Sequence, residues 1–256
     1  MKPTVRQISI AATLVVAGAA HAAAITVPSG GVYNGIKFAG SGSLTFSADL
    51  LGALDTGKVS VAGYREAFAT IAKDTDGFYS QVSVSVPLTS LTIDSTTNAV
   101  LSATTAGGAT QTAPVLKSVS SGGSLTVTDL SVDLANKKVY ATLIGGNGVG
   151  TLTNFYLWDI GAITGATNVT GYGTFTTTMS GLSITSDGFN KFTQSLGLLS
   201  LGKSALTSVA DFGTITSTIS APLLTVIPEF PEPSSYALMG MGLVGVIFAS
   251  KRRHQG

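Results

Sequence analysis

Between residues 25 and 221, apolar and polar positions alternate with a period of two, in short runs broken by Gly, Asn and Ser. This is the signature of half-buried β-strands. Val82, Val84 and Val86 alternate with Ser; Leu91 and Ile93, Leu130 and Val132, and Val139, Ala141 and Leu143 repeat the pattern. The Asn136-Lys137-Lys138 step predicts a hairpin connection between the last two runs. Further strands are expected over 32–38, 43–50, 58–62, 152–158, 174–184 and 214–219. A shift of 39 residues places Leu91 on Leu130, Ile93 on Val132, Asp94 on Asp133, Val100 on Val139 and Gly107 on Gly146. A duplicated hairpin is the simplest source of such a repeat, and two copies are too few for a solenoid.

Two stretches depart from the alternation. Over 64–73, Ala67, Phe68, Ile71 and Ala72 stand at helical spacing. Over 187–212, Phe189, Phe192, Leu196, Leu206 and Val209 do the same, interrupted by Gly197 and Gly202, with Asp187 placed to cap the first turn. The expected fold is mainly β: an antiparallel sandwich or related β-rich fold with one or two short helices. An N-terminal signal helix and a C-terminal transmembrane-like helix are expected to flank it.

The two ends read as addresses. Lys2 and Arg6 precede an uncharged, largely apolar run from Ile8 to Ala20, and small residues follow, with cleavage expected after Ala22 or Ala24. These are the parts of a secretory signal. The run reaches roughly 20 Å as a helix, short of a bilayer core of about 30 Å. At the other end Pro231-Glu232-Pro233 leads through Ser234 and Ser235 into an apolar stretch from Tyr236 to Ser250, followed at once by Lys251, Arg252 and Arg253. Fifteen residues reach only about 23 Å, a marginal span, and Gly240, Gly242 and Gly245 lower its helix propensity further. The basic cluster keeps its own side cytoplasmic, which places the body on the far side of the inner membrane.

This order of Pro-Glu-Pro, short apolar segment and terminal basic cluster resembles the PEP-CTERM sorting signal of Gram-negative bacteria. The resemblance is confined to the C-terminal tag and agrees with the signal peptide. It implies an exosortase as partner, an integral membrane transpeptidase that recognises Pro-Glu-Pro and removes the tail, alongside the export machinery, signal peptidase and a transient stay in the inner membrane. Pro231 and Pro233 suit recognition as an extended peptide, because each fixes φ and keeps its predecessor out of the α region. The organisation is then a signal peptide over 1–24, a β-rich extracytoplasmic domain over 25–221, a linker over 222–230 and the sorting signal over 231–254.

Composition narrows the chemistry. Charged residues make up 11% of the chain, the net charge is +1 and the mean hydropathy is +0.42. The body carries nine basic and eleven acidic side chains over 25–227, a net of 9 − 11 = −2, with no basic run that would bind nucleic acid. Cys is absent, which excludes thiol nucleophiles, Cys-ligated metals and disulfides. The two histidines, His21 and His254, lie in the terminal segments, so the body lacks a Ser-His-Asp triad and His-held metals. No cofactor and no metal site is expected.

The remaining candidates are thin. Ser200 and Lys203 match a Ser-x-x-Lys pair without its companion motifs. Glu66, the one Glu of the body, and Asp74, Asp76, Asp159, Asp187 and Asp211 form no recognisable hydrolase pair. Asp74-Thr75-Asp76-Gly77 looks like part of a calcium loop but lacks its downstream acid. Phe155, Tyr156 and Trp158 are the densest aromatic cluster, and on a regular strand Tyr156 and Trp158 would share a face with Asn154, a candidate glycan contact. Thr-x-Thr pairs such as Thr174/Thr176 and Thr214/Thr216 set hydroxyls about 6.6 Å apart on one face, as ice binding needs, though Thr also simply suits exposed strands. The leading expectation is a non-enzymatic, exported envelope or matrix protein associated with exopolysaccharide. The alternative is a secreted carbohydrate-binding, adhesive or ice-binding module, with a hydrolase behind both.

Overall fold

A computed structural model describes residues 23–222, so the signal run, the sorting motif and the basic cluster lie outside the described residues. The strands are β1 (Ala24–Pro28), β2 (Val32–Tyr33), β3 (Ile36–Lys37), β4 (Ala39–Phe46), β5 (Ser60–Tyr64), β6 (Phe68–Lys73), β7 (Tyr79–Asp94) and β8 (Val100–Thr105). They continue with β9 (Gly108–Leu116), β10 (Ser120–Asp133), β11 (Lys138–Gly145), β12 (Gly150–Gly165), β13 (Gly173–Ile184) and β14 (Gly213–Ala221). The helices are α1 (Ala48–Thr56), α2 (Ser186–Ser195) and α3 (Ser200–Thr207). None of these helices is long and apolar enough to cross a membrane.

The long antiparallel strands curl into one eight-stranded barrel-like sheet in the order β7-β4-β14-β13-β12-β11-β10-β8, with β8 returning to β7. The expected mainly β fold with a few short helices is present, and of its two forms the sandwich gives way to a barrel-like sheet. Closure follows from β8, whose two edges pair Ser131–Asp133 of β10 and Leu88–Ile93 of β7. Nearer their opposite ends the same two strands take other partners. β10 pairs β9, which pairs β5, while β7 pairs β6. Gly107 stands at this fork, its N–H donating to Asp129 Oδ1 at 3.0 Å, while Arg65 Nη1 meets Asp129 Oδ2 at 3.3 Å.

Period-two burial explains the wall. Val82, Val84, Val86 and Leu88 of β7 point inward. A register shift between Leu88 and Ser90 then resets the phase, so that Leu91 and Ile93 also face in. β10 does the same between Thr128 and Ser131, which lets both Leu125/Val127 and Leu130/Val132 reach the interior. The predicted hairpin joins β10 to β11, and its 39-residue counterpart joins β7 to β8. One apolar core gathers Leu125, Val139, Leu143 and Leu182 with the helix residues Leu50, Phe192 and Leu206. A second gathers Phe38, Leu91, Ile93 and Ile219.

Local chemistry corrects three other expectations. The run expected as a strand over 43–50 stops at Phe46, because the Ser47 hydroxyl accepts from Leu50 N–H at 3.1 Å and starts α1, which buries Leu50, Leu51 and Leu54. The helix expected over 64–73 is instead a turn followed by β6. Arg65 adopts φ 55°, and Phe68 through Lys73 ladder onto β7, so that sheet pairing overrides the helical spacing. The excursion over 187–212 is two helices, and the cap of α2 is Thr185, whose hydroxyl accepts from Gly188 N–H at 3.0 Å; Asp187 sits in the first turn.

Candidate functional site

A β-bulge decides the fate of the aromatic cluster on β12. Val139 of β11 stands opposite Trp158 while its neighbour Tyr140 stands opposite Tyr156, so one residue of β11 spans two of β12. Leu157 and Trp158 are consequently both buried. Trp158 is only 3% exposed and packs against Phe212, with ring centroids 6.3 Å apart. Its indole Nε1–H is buried without an acceptor among the described residues. The candidate glycan pair is thus divided: Trp158 belongs to the interior, and Tyr156 stays on the partly exposed outer face.

Tyr156 is not alone there. Its ring lies 5.4 Å from that of Tyr140, tilted by 38°, and Lys138 Nζ sits 4.7 Å from its centroid. Its hydroxyl donates to Asp159 Oδ1. That hydrogen bond to a carboxylate, followed by partial desolvation and by the charge of Asp159, pushes the Tyr156 phenol up to about 12. A shallow hollow beside it is lined by Thr151, Thr153, Asn154, Thr185 and Asp187. The arrangement offers two aromatic rings flanked by hydroxyls, an amide and carboxylates, with the Lys138 ammonium over the Tyr156 ring.

The raised phenol gives a pH prediction. Because the folded value lies above the unfolded value of 10.0, the contribution of this hydrogen bond to stability is complete below pH 10 and is lost as pH rises towards 12. In a phenolate absorbance titration, Tyr156→Phe should delete the last-titrating tyrosine, and Asp159→Asn should bring that step back towards 10. An unchanged alkaline limb in Tyr156→Phe would refute the assignment.

The other candidates are placed as follows. Ser200 and Lys203 lie on α3, where Lys203 N–H donates to Leu199 O in the helix. Asp74 Oδ1 accepts from Asp76 and Phe78 N–H and so forms the turn between β6 and β7. No group of three His, Cys, Asp or Glu that could hold a metal occurs among the described residues. Asp211 serves the backbone, accepting from Leu182 and Gly213 N–H. The Thr pairs align across strands, Thr176 opposite Thr218 and Thr178 opposite Thr216, then Ser43 and Ser85 in the same row. This hydroxyl wall follows the twist of the barrel, and some of its groups bond each other, as Ser43 and Ser83 do at 3.0 Å. Sequence reasoning missed Tyr140 and Lys138, whose joining to Tyr156 depends on the β11–β12 register. A second Tyr two residues after Lys138 was the visible signal.

The model of the PEP-CTERM protein-sorting motif matches residues 231–253, so the chain carries this motif. It marks an exosortase substrate, implying an exported protein with a membrane-anchored precursor and an exosortase as processing partner. No curated protein matches the chain. Among solved structures, the chain is similar to the heme binding protein HtaB from Corynebacterium glutamicum, at 11% identity and a TM-score of 0.44 over 77% of this chain and 96% of that one. It is also similar to the C-terminal domain of HtaA from the same organism, at 10% identity and a TM-score of 0.42 over 71% of this chain and 98% of that one.

Proposed function

We propose that this carrier of the PEP-CTERM motif is a non-catalytic envelope or matrix protein that its sorting tail delivers to the cell surface, where the barrel holds exopolysaccharide. The observation that carries the delivery is the motif over 231–253, in sequence after a body that ends with β14 at Ala221. What supports the binding role is the Tyr140–Tyr156 pair with Lys138, Asn154 and Asp159 around it. Aromatic faces take the apolar C–H faces of sugar rings, while carboxylate, amide and hydroxyl groups take their hydroxyls. Asp74, Asp94, Asp129 and Asp211 accept backbone N–H groups in turns and junctions, which takes these four of the body's carboxylates out of the candidates for hydrolysis.

Retention on the producing cell's own extracellular polysaccharide tests the reading. Tyr140→Ala and Tyr156→Ala, both on the outer face, should fold normally and each weaken retention by roughly tenfold. Tyr172→Ala, at a side chain 55% exposed elsewhere, should leave it unchanged. Normal retention by both outer-face variants would remove the binding role.

A further inference from the structure

The hairpin between β9 and β10 and the start of α3 are joined into one exposed tip. Leu199 N–H donates to Val119 O at 2.7 Å and Leu201 N–H to Ser118 O at 3.0 Å, while the Ser120 hydroxyl donates to Leu196 O at 2.7 Å. The two segments approach so closely that a Cβ at Gly202 would come within 2.4 Å of Val119 O. The tip is therefore braced, yet it carries apolar side chains in solvent. Val115 is 80% exposed and Leu201 56%, and Leu199 is exposed as well. One apolar side chain on a surface needs no explanation, but three on a braced tip point to something that covers them.

Charge selects the cover. Lys117 lies on the hairpin itself and Lys203 follows Gly202 on α3. Lys58 lies between Gly57 and Val59, which line one small hollow together with Leu198 and Gly202. All three lysines are exposed, and none has an ion-pair partner among the described residues. The segments that build the tip, 52–60, 112–122 and 194–207, hold a single carboxylate, Asp55, and both of its oxygens accept from Tyr79 N–H of β7. A second copy would set these cations against themselves across a two-fold axis. A sugar polymer would find no aromatic ring, since none occurs in these segments. Aliphatic side chains among ammonium groups are instead complementary to a bilayer interface, where lysines meet lipid phosphates and apolar side chains enter the acyl boundary.

We infer that this tip docks the body on a bilayer carrying anionic phospholipid, with Val115, Leu199 and Leu201 entering the interface and Lys58, Lys117 and Lys203 meeting the phosphates. The tip shares no residue with the outer face around Tyr156. On the proposed delivery the tail brings the body to such a surface, since the 14 residues over 222–235 reach at most about 50 Å. That supply of a bilayer rests on the delivery, whereas the chemistry of the tip does not.

The chain lacks Cys, so Val115→Cys, or Leu201→Cys should the first not fold, gives one attachment point for an environment-sensitive dye in the full-length protein. The tail is common to every sample, and its processing does not enter the measurement. With vesicles of phosphatidylcholine containing about one-third phosphatidylglycerol, the dye should shift to the blue and be quenched by lipids brominated on the acyl chain. With phosphatidylcholine alone the response should be small. A dye on Ala135→Cys, exposed in the turn beyond the other end of β10, should respond to neither. Lys58→Gln, Lys117→Gln and Lys203→Gln should each weaken the docking read by the dye roughly fivefold, and together roughly a hundredfold. Raising NaCl from about 0.1 M to about 0.5 M should also weaken it strongly. Leu199→Ser with Leu201→Ser should weaken it roughly tenfold with the lysines intact. Equal responses to anionic and neutral vesicles, equal responses from the Val115→Cys and Ala135→Cys dyes, or undiminished docking by the triple Gln variant would overturn the inference. So would a response to soluble polygalacturonate equal to that with anionic vesicles, which would assign the tip to an acidic glycan.

Discussion

Replacing Phe212 with alanine is expected to remove about 3–5 kcal/mol of stability, a large share of the roughly 5–15 kcal/mol that holds a typical domain folded. Phe212 is 1% exposed, in the segment between α3 and β14. Its ring meets Phe192 of α2 edge-on at 6.1 Å and 88°, and Trp158 of β12 at 6.3 Å. Its backbone N–H donates to Leu182 O at 2.8 Å, so the same residue joins the helical cover to β13. Truncation would open new space beside a cavity that is already present, where little can collapse inward to fill it. Chemical denaturation should show the loss, with Phe212→Leu at a fraction of it and Phe68→Ala, at a ring 73% exposed on β6, within about 0.5 kcal/mol of the parent. A loss below about 1 kcal/mol for Phe212→Ala would mean that the cover does not depend on this ring.

Those contacts also mark where the sequence stops being legible. Alternation at Val82–Val86, Leu130–Val132 and Val139–Leu143 was enough to identify the strands and the β10–β11 hairpin. The 39-residue repeat carries into geometry. Asp94 and Asp133 each accept turn N–H groups, and Asn98 and Lys137, 39 positions apart, both adopt positive φ at 57° and 55°. What alternation cannot register is an inserted residue. The bulges at Leu157 and after Leu88 and Thr128 each reverse which side chains face in, and the one at Leu157 sent Trp158 inside and kept Tyr156 outside. Barrel closure was equally hidden, since β8 pairs strands separated from it by turns and by the whole of β9. Gly108 shows the tertiary constraint directly: a Cβ there would come within 1.9 Å of Val127 O, so the β9–β10 crossing admits no side chain. The helix expected over 64–73 failed for a related reason. Its apolar spacing was real, but the β7 edge offered a full ladder of backbone hydrogen bonds to residues 68–73.

Glu232→Ala is expected to leave the protein in the membrane fraction at precursor mass, while the parent appears outside the cell without its Arg252-Arg253 peptide. As a helix, the apolar stretch from Tyr236 to Ser250 would reach only about 23 Å against a core of about 30 Å, so on the proposed delivery it is expected to stop transfer without making a durable anchor. By the positive-inside rule, Lys251, Arg252 and Arg253 are expected to keep its end on the cytoplasmic side. On the proposed delivery, Pro231-Glu232-Pro233 is the element that a membrane transpeptidase must recognise, and its two prolines favour an extended peptide. Replacing the three basic residues with Gln should act at a different step: it removes the orientation signal, so the processed form falls although Pro231-Glu232-Pro233 is intact. The two variants are separable by mass spectrometry of membrane and extracellular fractions together with protease accessibility of the body, which stays extracytoplasmic in Glu232→Ala. Recovery of the parent's intact Arg252-Arg253 peptide from the extracellular fraction would show that release proceeds without removal of the tail, and processing would then have to be abandoned as the delivery step.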